Sequence, residues 1–344
     1  MIFGIVGAGR WAEVHRDAVR QTGNRVDCVL VSSRSSAERV EAEWGVRATT
    51  DPRAFLGYGS EAVIVASPNH LHAAHTTLCL DAGKHVLVEK PMALTVEDCD
   101  RMISAASRSG KLLAVGLEMR VFTLFEKVKE LLDGGEIGRP LHLRLDLWRR
   151  PYRAGAGGWK ADPAKVGSSI LEEPVHYLDL ARYYLAPLWG EPQRVSAWAT
   201  SRPGSEGRWQ TLDVRLSFGG AEALLTRSIA AYGHTVTLQL VGETGSLRAE
   251  WRGAQDLDPE PAQHLWLHGG DRDAPPEELA VPVGGHAFDL PRQTRAFVDA
   301  LRRGGPPPAS GEDGRASVAL CLAVEAALRT EGPVSPWPRA ERPS

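Results

Sequence analysis

The chain has 344 residues, of which 43% are hydrophobic and 24% charged, and its formal net charge is −3. This composition is typical of a globular protein with room for two domains, and it excludes the strongly basic surface that nucleic acids and membranes attract. The four cysteines have no metal-ligand spacing, the start of the chain lacks a signal-peptide pattern, and no apolar run is long enough to span a bilayer. We therefore expect a cytoplasmic protein without a metal site, a nucleic-acid partner or a membrane partner.

The first predicted strand, Ile2 to Val6, leads into a GxGxxA turn that opens a helix to about Gln21. In such a turn Gly7 makes the tight bend, Gly9 leaves room for phosphates, and a small alanine lets the helix pack closely on the strand. The N-terminus of the helix favours an anion. The pattern predicts that a dinucleotide binds at Gly7, Ala8, Gly9, Arg10 and Trp11.

The second predicted strand, Val26 to Val31, is followed by Ser32, Ser33 and Arg34, with no acidic residue. An NAD-preferring site usually carries an acid at this position, about 20 residues past the last glycine. A hydroxyl and a guanidinium suit a ribose 2′-phosphate instead, because arginine can hold a phosphate with two N–H donors. We expect NADP(H) to be favoured, with NAD(H) also possible; the alternative is that Arg34 is only a surface residue.

Two further strands of the first half end in polar loops. The strand 62–66 ends in Ser67, Pro68 and Asn69, where the nicotinamide half of a dinucleotide would rest, and a helix to about Ala82 follows. The alternative for His72, early in that helix, is ordinary surface polarity. The short buried strand Val86 to Val88 ends at Glu89 and Lys90. Ligands of parallel α/β sheets bind beyond the carboxyl ends of the strands, so Lys90 is expected beside the substrate.

Thr95 and Asp98 form a capping signature for a helix to about Ser109, and Lys111 to Gly116 is the last predicted strand of this half. Strands that alternate with helices at this spacing predict a doubly wound parallel sheet.

Beyond about Glu118 the pattern changes to that of an antiparallel sheet with helices. We expect helices at about 122–133, 168–185, 287–302 and 314–329, and strands at about 141–148, 195–200, 212–218, 223–230 and 235–241. The irregular stretch 149–167 is the best candidate for a substrate lid, with Tyr152 and Trp159 as possible contacts, although each could equally be a solvated loop residue. Residues 256–276 are expected to form an exposed connection, and 334–344 a loose tail.

Glu172, His176 and Asp179 fall at i, i+4 and i+7, so one helix would place them on a single face. Interconversion of an alcohol and a carbonyl needs a group that exchanges the hydroxyl proton and a group that holds the developing charge on oxygen. Lys90 and His176 suit these tasks. The alternative is a structural helix with a buried histidine and a buried aspartate.

Together these motifs resemble the Gfo/Idh/MocA oxidoreductases, the relatives of glucose–fructose oxidoreductase and inositol dehydrogenase, over nearly the whole chain. The most specific mark is Glu89-Lys90-Pro91, and the others are the glycine turn, Ser67-Pro68-Asn69 with His72, Gly167 to Asp179, and Gly311 to Gly314. The resemblance implies a Rossmann dinucleotide-binding domain at 1–118 and a C-terminal α/β domain at 119–333 for substrate and oligomerisation, with a large open, mostly antiparallel sheet. It also implies a homodimer or homotetramer.

The resemblance also implies site residues. It assigns Lys90 as the catalytic lysine, His176 as the acid/base histidine, Glu172 to the family's aspartate position, and Arg120, with Asp179, as lesser candidates for substrate contact. Glu89 belongs to the cofactor-side motif. The implied activity is NAD(P)-dependent hydride transfer to or from a sugar, cyclitol or related polyol. An NAD-dependent glycoside hydrolase of this fold and a non-catalytic sugar or dinucleotide sensor remain the alternatives.

One departure from the family pattern bears on Glu172. Pro174 stands where the family usually has glycine, two residues before His176. Proline is best tolerated in the first turn of a helix, so we expect the helix to begin near Glu173, which would take Glu172 off the shared face.

Overall fold

The computed structural model describes residues 1–150, 159, 162–201, 209–231, 233–254, 258, 260–270, 273–282 and 289–337. The chain divides into two compact units. The first unit comprises the described residues of Met1–Glu118, Ala154–Gly167 and Leu290–Val318; the second comprises those of Met119–Arg153, Ser168–Asp289 and Ala319–Ser344.

Strands and helices alternate along the first part of the chain, whereas strands predominate in the second. The strands are β1 (Ile2–Val6), β2 (Arg25–Leu30), β3 (Arg47–Thr49), β4 (Ala62–Val65), β5 (His85–Val88), β6 (Leu113–Val115), β7 (Pro140–Trp148), β8 (Arg194–Ser201), β9 (Trp209–Ser217), β10 (Glu222–Ser228), β11 (His234–Gly242), β12 (Gly245–Gly253), β13 (Ala262–Gly269) and β14 (Glu277–Glu278). The helices are α1 (Arg10–Gln21), α2 (Arg34–Trp44), α3 (Pro52–Gly57), α4 (His72–Asp81), α5 (Val96–Ser109), α6 (Thr123–Asp133), α7 (Pro163–Val166), α8 (Ser169–Glu172), α9 (Pro174–Trp189), α10 (Leu290–Arg303) and α11 (Gly311–Thr330). Short 3-10 helices cover Asn69–Leu71 and Glu118–Arg120.

The sheet of the first unit has the order β3-β2-β1-β4-β5-β6, and every pairing in it is parallel. The chain runs outward in one direction from β1 and in the other from β4, so the topological switch point lies between these two strands, where ligands of doubly wound sheets bind. The predicted doubly wound parallel sheet is confirmed.

Apolar strand sequences explain this sheet. Each residue of β4 is fully buried, and β5 is buried from Val86 to Val88, as expected for strands covered on both faces. On one side the core continues into α10, where Phe297 packs against Phe3 with ring centroids 6.4 Å apart. Thr95 caps α5 through its hydroxyl, which accepts a hydrogen bond from the Asp98 amide, as the capping signature predicts.

The sheet of the second unit has the order β14-β13-β12-β11-β7-β10-β9-β8. Its pairings are antiparallel except that between β7 and β10. The mostly antiparallel sheet is thus confirmed. The expectation of an exposed connection at 256–276 is wrong for Ala262–Gly269, because β13 pairs along its length with β12 and buries Leu265.

The helix predicted at 168–185 is interrupted at Glu173. Ser168 caps the short α8 through its hydroxyl, which accepts hydrogen bonds from the Ile170 and Leu171 amides at 3.2 Å each. Pro174 then occupies the first turn of α9, where its missing N–H costs nothing. The expected start of the second helix near Glu173 is confirmed, and Glu172 lies at the end of α8.

The tail expected after Pro333 is not loose at its beginning. Val334 exchanges two backbone hydrogen bonds with Val195, at 2.8 and 2.9 Å, and the Trp337 indole N–H donates to the Pro192 carbonyl at 2.7 Å. These bonds hold residues 334–337 against β8, because an edge strand leaves backbone groups available for pairing. No helix in the described part of the chain is long and apolar enough to cross a membrane.

Candidate active site

The glycine turn after β1 has the geometry that a pyrophosphate needs. Gly7 has φ of +106°, and a Cβ there would lie 2.6 Å from the Ala66 carbonyl oxygen, so a side chain is excluded by conformation and by space. A Cβ at Gly9 would meet no atom within 4 Å, and Gly9 begins α1 without a side-chain cap. The open space and the uncapped helix amides fit an anionic phosphate group.

The other predicted residues of this turn lie around it. The Ala8 carbonyl accepts a hydrogen bond from the Arg39 guanidinium at 2.5 Å. Arg10 is exposed and Trp11 is half-buried, both in the first turn of α1.

Ser33 and Arg34 form the start of α2, just beyond the carboxyl end of β2. Ser33 is the N-cap, and its hydroxyl accepts a hydrogen bond from the Ser36 amide at 3.2 Å. The Arg34 side chain is 92% exposed, and its contact with Glu38 is a single ion pair of 3.0 Å. An exposed pair of this kind is worth about 1 kcal/mol or less, so a phosphate could replace Glu38 as the partner at little cost.

Two loops at the carboxyl edge of the sheet are joined by His72. Its Nδ1 lies 2.8 Å from the Pro91 carbonyl oxygen, and its Nε2 lies 2.8 Å from the Ser67 carbonyl oxygen. Burial lowers the pKa of His72, although both carbonyl contacts oppose this. With both ring nitrogens engaged by backbone, His72 fixes the loops that carry Ser67 and Lys90.

The loop after β4 carries the predicted residues Ser67, Pro68 and Asn69. The Asn69 side-chain amide donates to the Val166 carbonyl at 3.0 Å, and Asn69 is buried. Pro68 precedes the 3-10 helix that begins at Asn69, and the Ser67 hydroxyl lies 3.0 Å from His75 Nδ1.

Lys90 follows β5 in a loop that its neighbour Glu89 stabilises. Glu89 Oε1 lies 2.6 Å from His15 Nε2, and Glu89 Oε2 accepts a hydrogen bond from the Lys90 amide at 3.3 Å. Burial alone would raise the pKa of Glu89, but the His15 hydrogen bond and the neighbouring positive charges outweigh burial and lower it. The Lys90 side chain is half-buried, and the Lys90–Pro91 peptide bond is cis. An ionised carboxylate therefore lies directly beside the lysine.

Two buried residues at this edge of the sheet, His15 and Glu118, were not predicted from the sequence. His15 lies on the buried face of α1, four residues after Trp11, and that helical spacing was the available signal. Glu118 is 3% exposed at the start of the 3-10 helix after β6. Burial, and then the Glu89 charge, raise the pKa of Glu118 to about 8, while Lys90 opposes both. The sequence signal for Glu118 was its position just beyond the end of β6, at the same edge of the sheet as Lys90.

In the second unit, the residues around the start of α9 are buried. His176 is 1% exposed, and Glu172, at the end of α8, is 8% exposed. Between them, Glu173 forms an ion pair with Arg149, and its carbonyl accepts a hydrogen bond from the His176 amide at 3.0 Å. A buried carboxylate is tolerated when it is paired, so Arg149 fixes the turn from which His176 projects.

Arg120 and Asp179, both predicted as substrate contacts, bind each other. The Arg120 guanidinium donates two hydrogen bonds of 2.7 Å to the two Asp179 carboxylate oxygens. Its carbon Cζ also lies 4.6 Å from the centre of the Tyr183 ring. Of the predicted lid contacts, Tyr152 lies outside the described residues, and Trp159 is half-buried, with its carbonyl accepting a hydrogen bond from the Asp162 amide at 3.1 Å.

Comparison with known proteins agrees with this geometry. Residues 1–117 match the family model described as "Oxidoreductase family, NAD-binding Rossmann fold", and residues 125–248 match the "GFO/IDH/MocA C-terminal domain". The chain is 31% identical over 339 residues to inositol 2-dehydrogenase 1 of Saccharopolyspora erythraea, which covers 95% of this chain and 93% of the relative. It is 28% identical to myo-inositol 2-dehydrogenase of Thermotoga maritima, with 95% and 96% covered.

The fold is also that of a solved levoglucosan dehydrogenase in complex with NADH and levoglucosan. That structure superposes with a TM-score of 0.82 over 97% of this chain and 99% of the other, at 20% identity.

Proposed function

This chain belongs to the GFO/IDH/MocA oxidoreductase family, and from that premise we propose that it is an NAD(P)-dependent dehydrogenase or reductase. Its substrate is a sugar, a cyclitol or a related polyol, because the relatives that match nearly its full length are named inositol 2-dehydrogenases. The bound cofactor supplies hydride exchange at nicotinamide C4 with a carbinol or carbonyl carbon of the substrate.

One observation carries the proposal: the carboxyl edge of the first sheet holds both a glycine turn free of side chains and a lysine. Gly7 and Gly9 keep the turn after β1 free of side chains, while Asn69 and Lys90 follow β4 and β5 at the same edge. Parallel sheets of this order bind dinucleotides there. Lys90 is the residue of this edge to which we assign the task of holding or moving a proton at a substrate oxygen.

We assign the proton chemistry to Lys90 and His176. Lysine and histidine are the residue types that can take or give a hydroxyl proton and that can polarise an oxygen as charge develops. Glu172 is the third residue that we assign to catalysis; it lies at the end of α8, whereas His176 lies in the first turn of α9.

The cofactor preference proposed is NADP(H). The support is the exposed Arg34 guanidinium at the N-terminus of α2, with no acid at the end of β2 that would bind a ribose 2′-hydroxyl. NAD(H) remains usable in this proposal, because the phosphate contributes binding at the far end of the cofactor, away from the hydride.

An oligomer built on the second sheet is also proposed, as a homodimer or homotetramer. Its strands carry exposed large apolar side chains, Trp148 at 46%, Trp198 at 63% and Val241 at 48%. Exposed aromatic and apolar side chains on the strands of an open sheet are available for contact with a second copy of the chain. The four cysteines are buried and free of disulfides, which suits the reducing cytoplasm.

The experiment is a panel of polyols and sugars with each oxidised cofactor, and of keto-sugars with each reduced cofactor, followed by nicotinamide absorbance. The proposal expects a stoichiometric absorbance change with at least one member of the panel. Binding without any absorbance change would support a sensor, and release of a sugar without net cofactor change would support a glycoside hydrolase; either result would refute a dehydrogenase.

A further inference from the structure

Strands β5 and β6 bring two loops unusually close at the carboxyl edge of the first sheet. Val88 pairs with Val115, and the Gly116 amide extends the ladder by donating to the Val88 carbonyl at 2.7 Å. A Cβ on Gly116 would lie 3.3 Å from Glu89 Cα and 3.4 Å from Glu89 Oε1. The absence of a side chain at Gly116 therefore lets the loop after β6 lie against Glu89.

Glu118 follows in that loop, two residues after Gly116, and is 3% exposed. The two adjoining loops thus carry two buried carboxyls, Glu89 and Glu118, and one lysine, Lys90, and the charges of Glu89 and Lys90 both act on Glu118. The Glu89 carboxylate is already satisfied by His15 and by the Lys90 amide. Two carboxyls in one buried cluster repel each other when both are ionised, so they hold their protons unequally.

We propose that Glu118 is a positioning residue for Lys90, a second buried carboxyl whose ionisation state sets how readily the lysine amine gives up its proton. This inference deepens the proposed function and rests on its assignment of Lys90. Glu118 is a carboxylic acid at neutral pH and a carboxylate in the alkaline range, in agreement with its raised pKa of about 8.

The sign of the effect follows from charge. While Glu118 is protonated, Lys90 has one neighbouring carboxylate, that of Glu89. When Glu118 loses its proton, a second negative charge favours the ammonium form of Lys90, and the neutral amine then forms only at higher pH. The other charged groups in this cluster do not reverse the effect. His15 is hydrogen-bonded to Glu89, burial lowers the pKa of His72 and so favours its neutral form beside Lys90, and Arg120, on the same short helix as Glu118, is paired with Asp179.

Glu118→Gln tests the proposal, because glutamine keeps the size of the side chain and removes its ionisation. Only the neutral amine reacts with acetic anhydride, so pulse acetylation over a range of pH, with the Lys90 peptide quantified by mass spectrometry, gives the midpoint of Lys90 deprotonation. We expect that midpoint to fall by about one pH unit in E118Q. Glu43→Gln, an exposed glutamate paired with Arg39 in the same unit, is the matched control and should leave the midpoint in place.

The pH profile of kcat/KM is measured on the same proteins. If the limb of the kcat/KM profile shifts together with the labelling midpoint of Lys90, the result supports both the inference and the catalytic role of Lys90. A labelling midpoint that moves while the kcat/KM limb does not would leave the inference standing and remove Lys90 from the reaction.

The same labelling midpoint in wild type and E118Q overturns the inference, whatever the activity. If E118Q does not fold, the shorter pair Glu118→Asp and Glu118→Asn replaces it. The aspartate variant must then show the higher midpoint, and equal midpoints overturn the proposal.

Discussion

Arg120 holds Asp179 by two parallel hydrogen bonds of 2.7 Å, with the two side chains 4% and 1% exposed. Asp179 lies three residues after His176 on α9, so the two side chains share one face of the helix. The ion pair therefore anchors the face of α9 that carries His176. Both residues act in this account as positioning residues.

Asp179→Asn is expected to destabilise the protein by about 3–5 kcal/mol, because it leaves a buried guanidinium without its counter-charge. Equilibrium unfolding in urea, followed by circular dichroism, measures the loss. The double variant Arg120→Met with Asp179→Leu should recover a substantial part of it, since both charges of the pair are then removed. A single variant as stable as wild type would show that the pair does not hold α9.

Lys90→Met should lower turnover by at least about a thousandfold while cofactor affinity, measured by nicotinamide fluorescence, changes little. The reason is that methionine keeps the apolar stem of the side chain but removes the amine. Lys111→Met is the control: Lys111 is also half-buried but precedes β6, at the opposite edge of the sheet from Lys90. A Lys90→Met enzyme that retains most of its activity would rule out the assignment.

Arg34→Ala should lower kcat/KM for NADP(H) by about 10- to 100-fold and leave that for NAD(H) nearly unchanged. The lost interaction would be the guanidinium contact with the 2′-phosphate. The control is Arg108→Ala, which removes another exposed arginine that has an acidic partner, Asp81, and it should alter neither value. Wild-type enzyme that uses NAD(H) at least about tenfold more efficiently than NADP(H) would contradict the proposed preference.

Glu118 should make folding stability depend on pH. Its pKa is raised in the folded protein to about 8, mainly by burial. The folded state therefore binds more protons than the unfolded state between the ordinary glutamate pKa and about 8, and the stability contributed by Glu118 is lost as pH rises through that window. The slope is about 1.4 kcal/mol per pH unit at most for a single group.

Urea unfolding at about pH 5.5, 7 and 8.5 measures that slope across this window. Glu118→Gln should gain stability relative to wild type as the pH rises, whereas the exposed control Glu43→Gln should follow the wild type. An equal difference between E118Q and wild type at all three pH values would mean that Glu118 does not titrate in this range.

Local patterns were sufficient to predict five of the six strands of the first sheet, whereas the three-residue strand β3 was not predicted. Runs such as Val86 to Val88 have no polar residue, so their burial on both faces could be read directly, and the Thr95 cap and the Gly7 turn mark where helices begin. Each of these signals lies within a few residues of the element that it specifies.

The features that could not be predicted depend on contacts between distant residues. Arg120 and Asp179 are 59 positions apart, and the sequence alone did not pair them. The strand β13 was missed because Ala262–Gly269 mixes histidine, glutamine and glycine with few buried apolar residues. Glu118 is buried in the loop after β6, which Gly116 brings against Glu89, and that approach requires the strand order and not the local sequence.

Hydride transfer between the substrate and the cofactor is tested most directly by following the hydride itself. The alcohol of the panel that is turned over is prepared with deuterium on its carbinol carbon and incubated with oxidised cofactor, and the cofactor is analysed by mass spectrometry. The account predicts one deuterium in each reduced nicotinamide, with an equal amount of carbonyl product, and loss of both products in Lys90→Met. Deuterium that remains in the sugar or appears in water, or a full panel that leaves both cofactors unchanged, would contradict it.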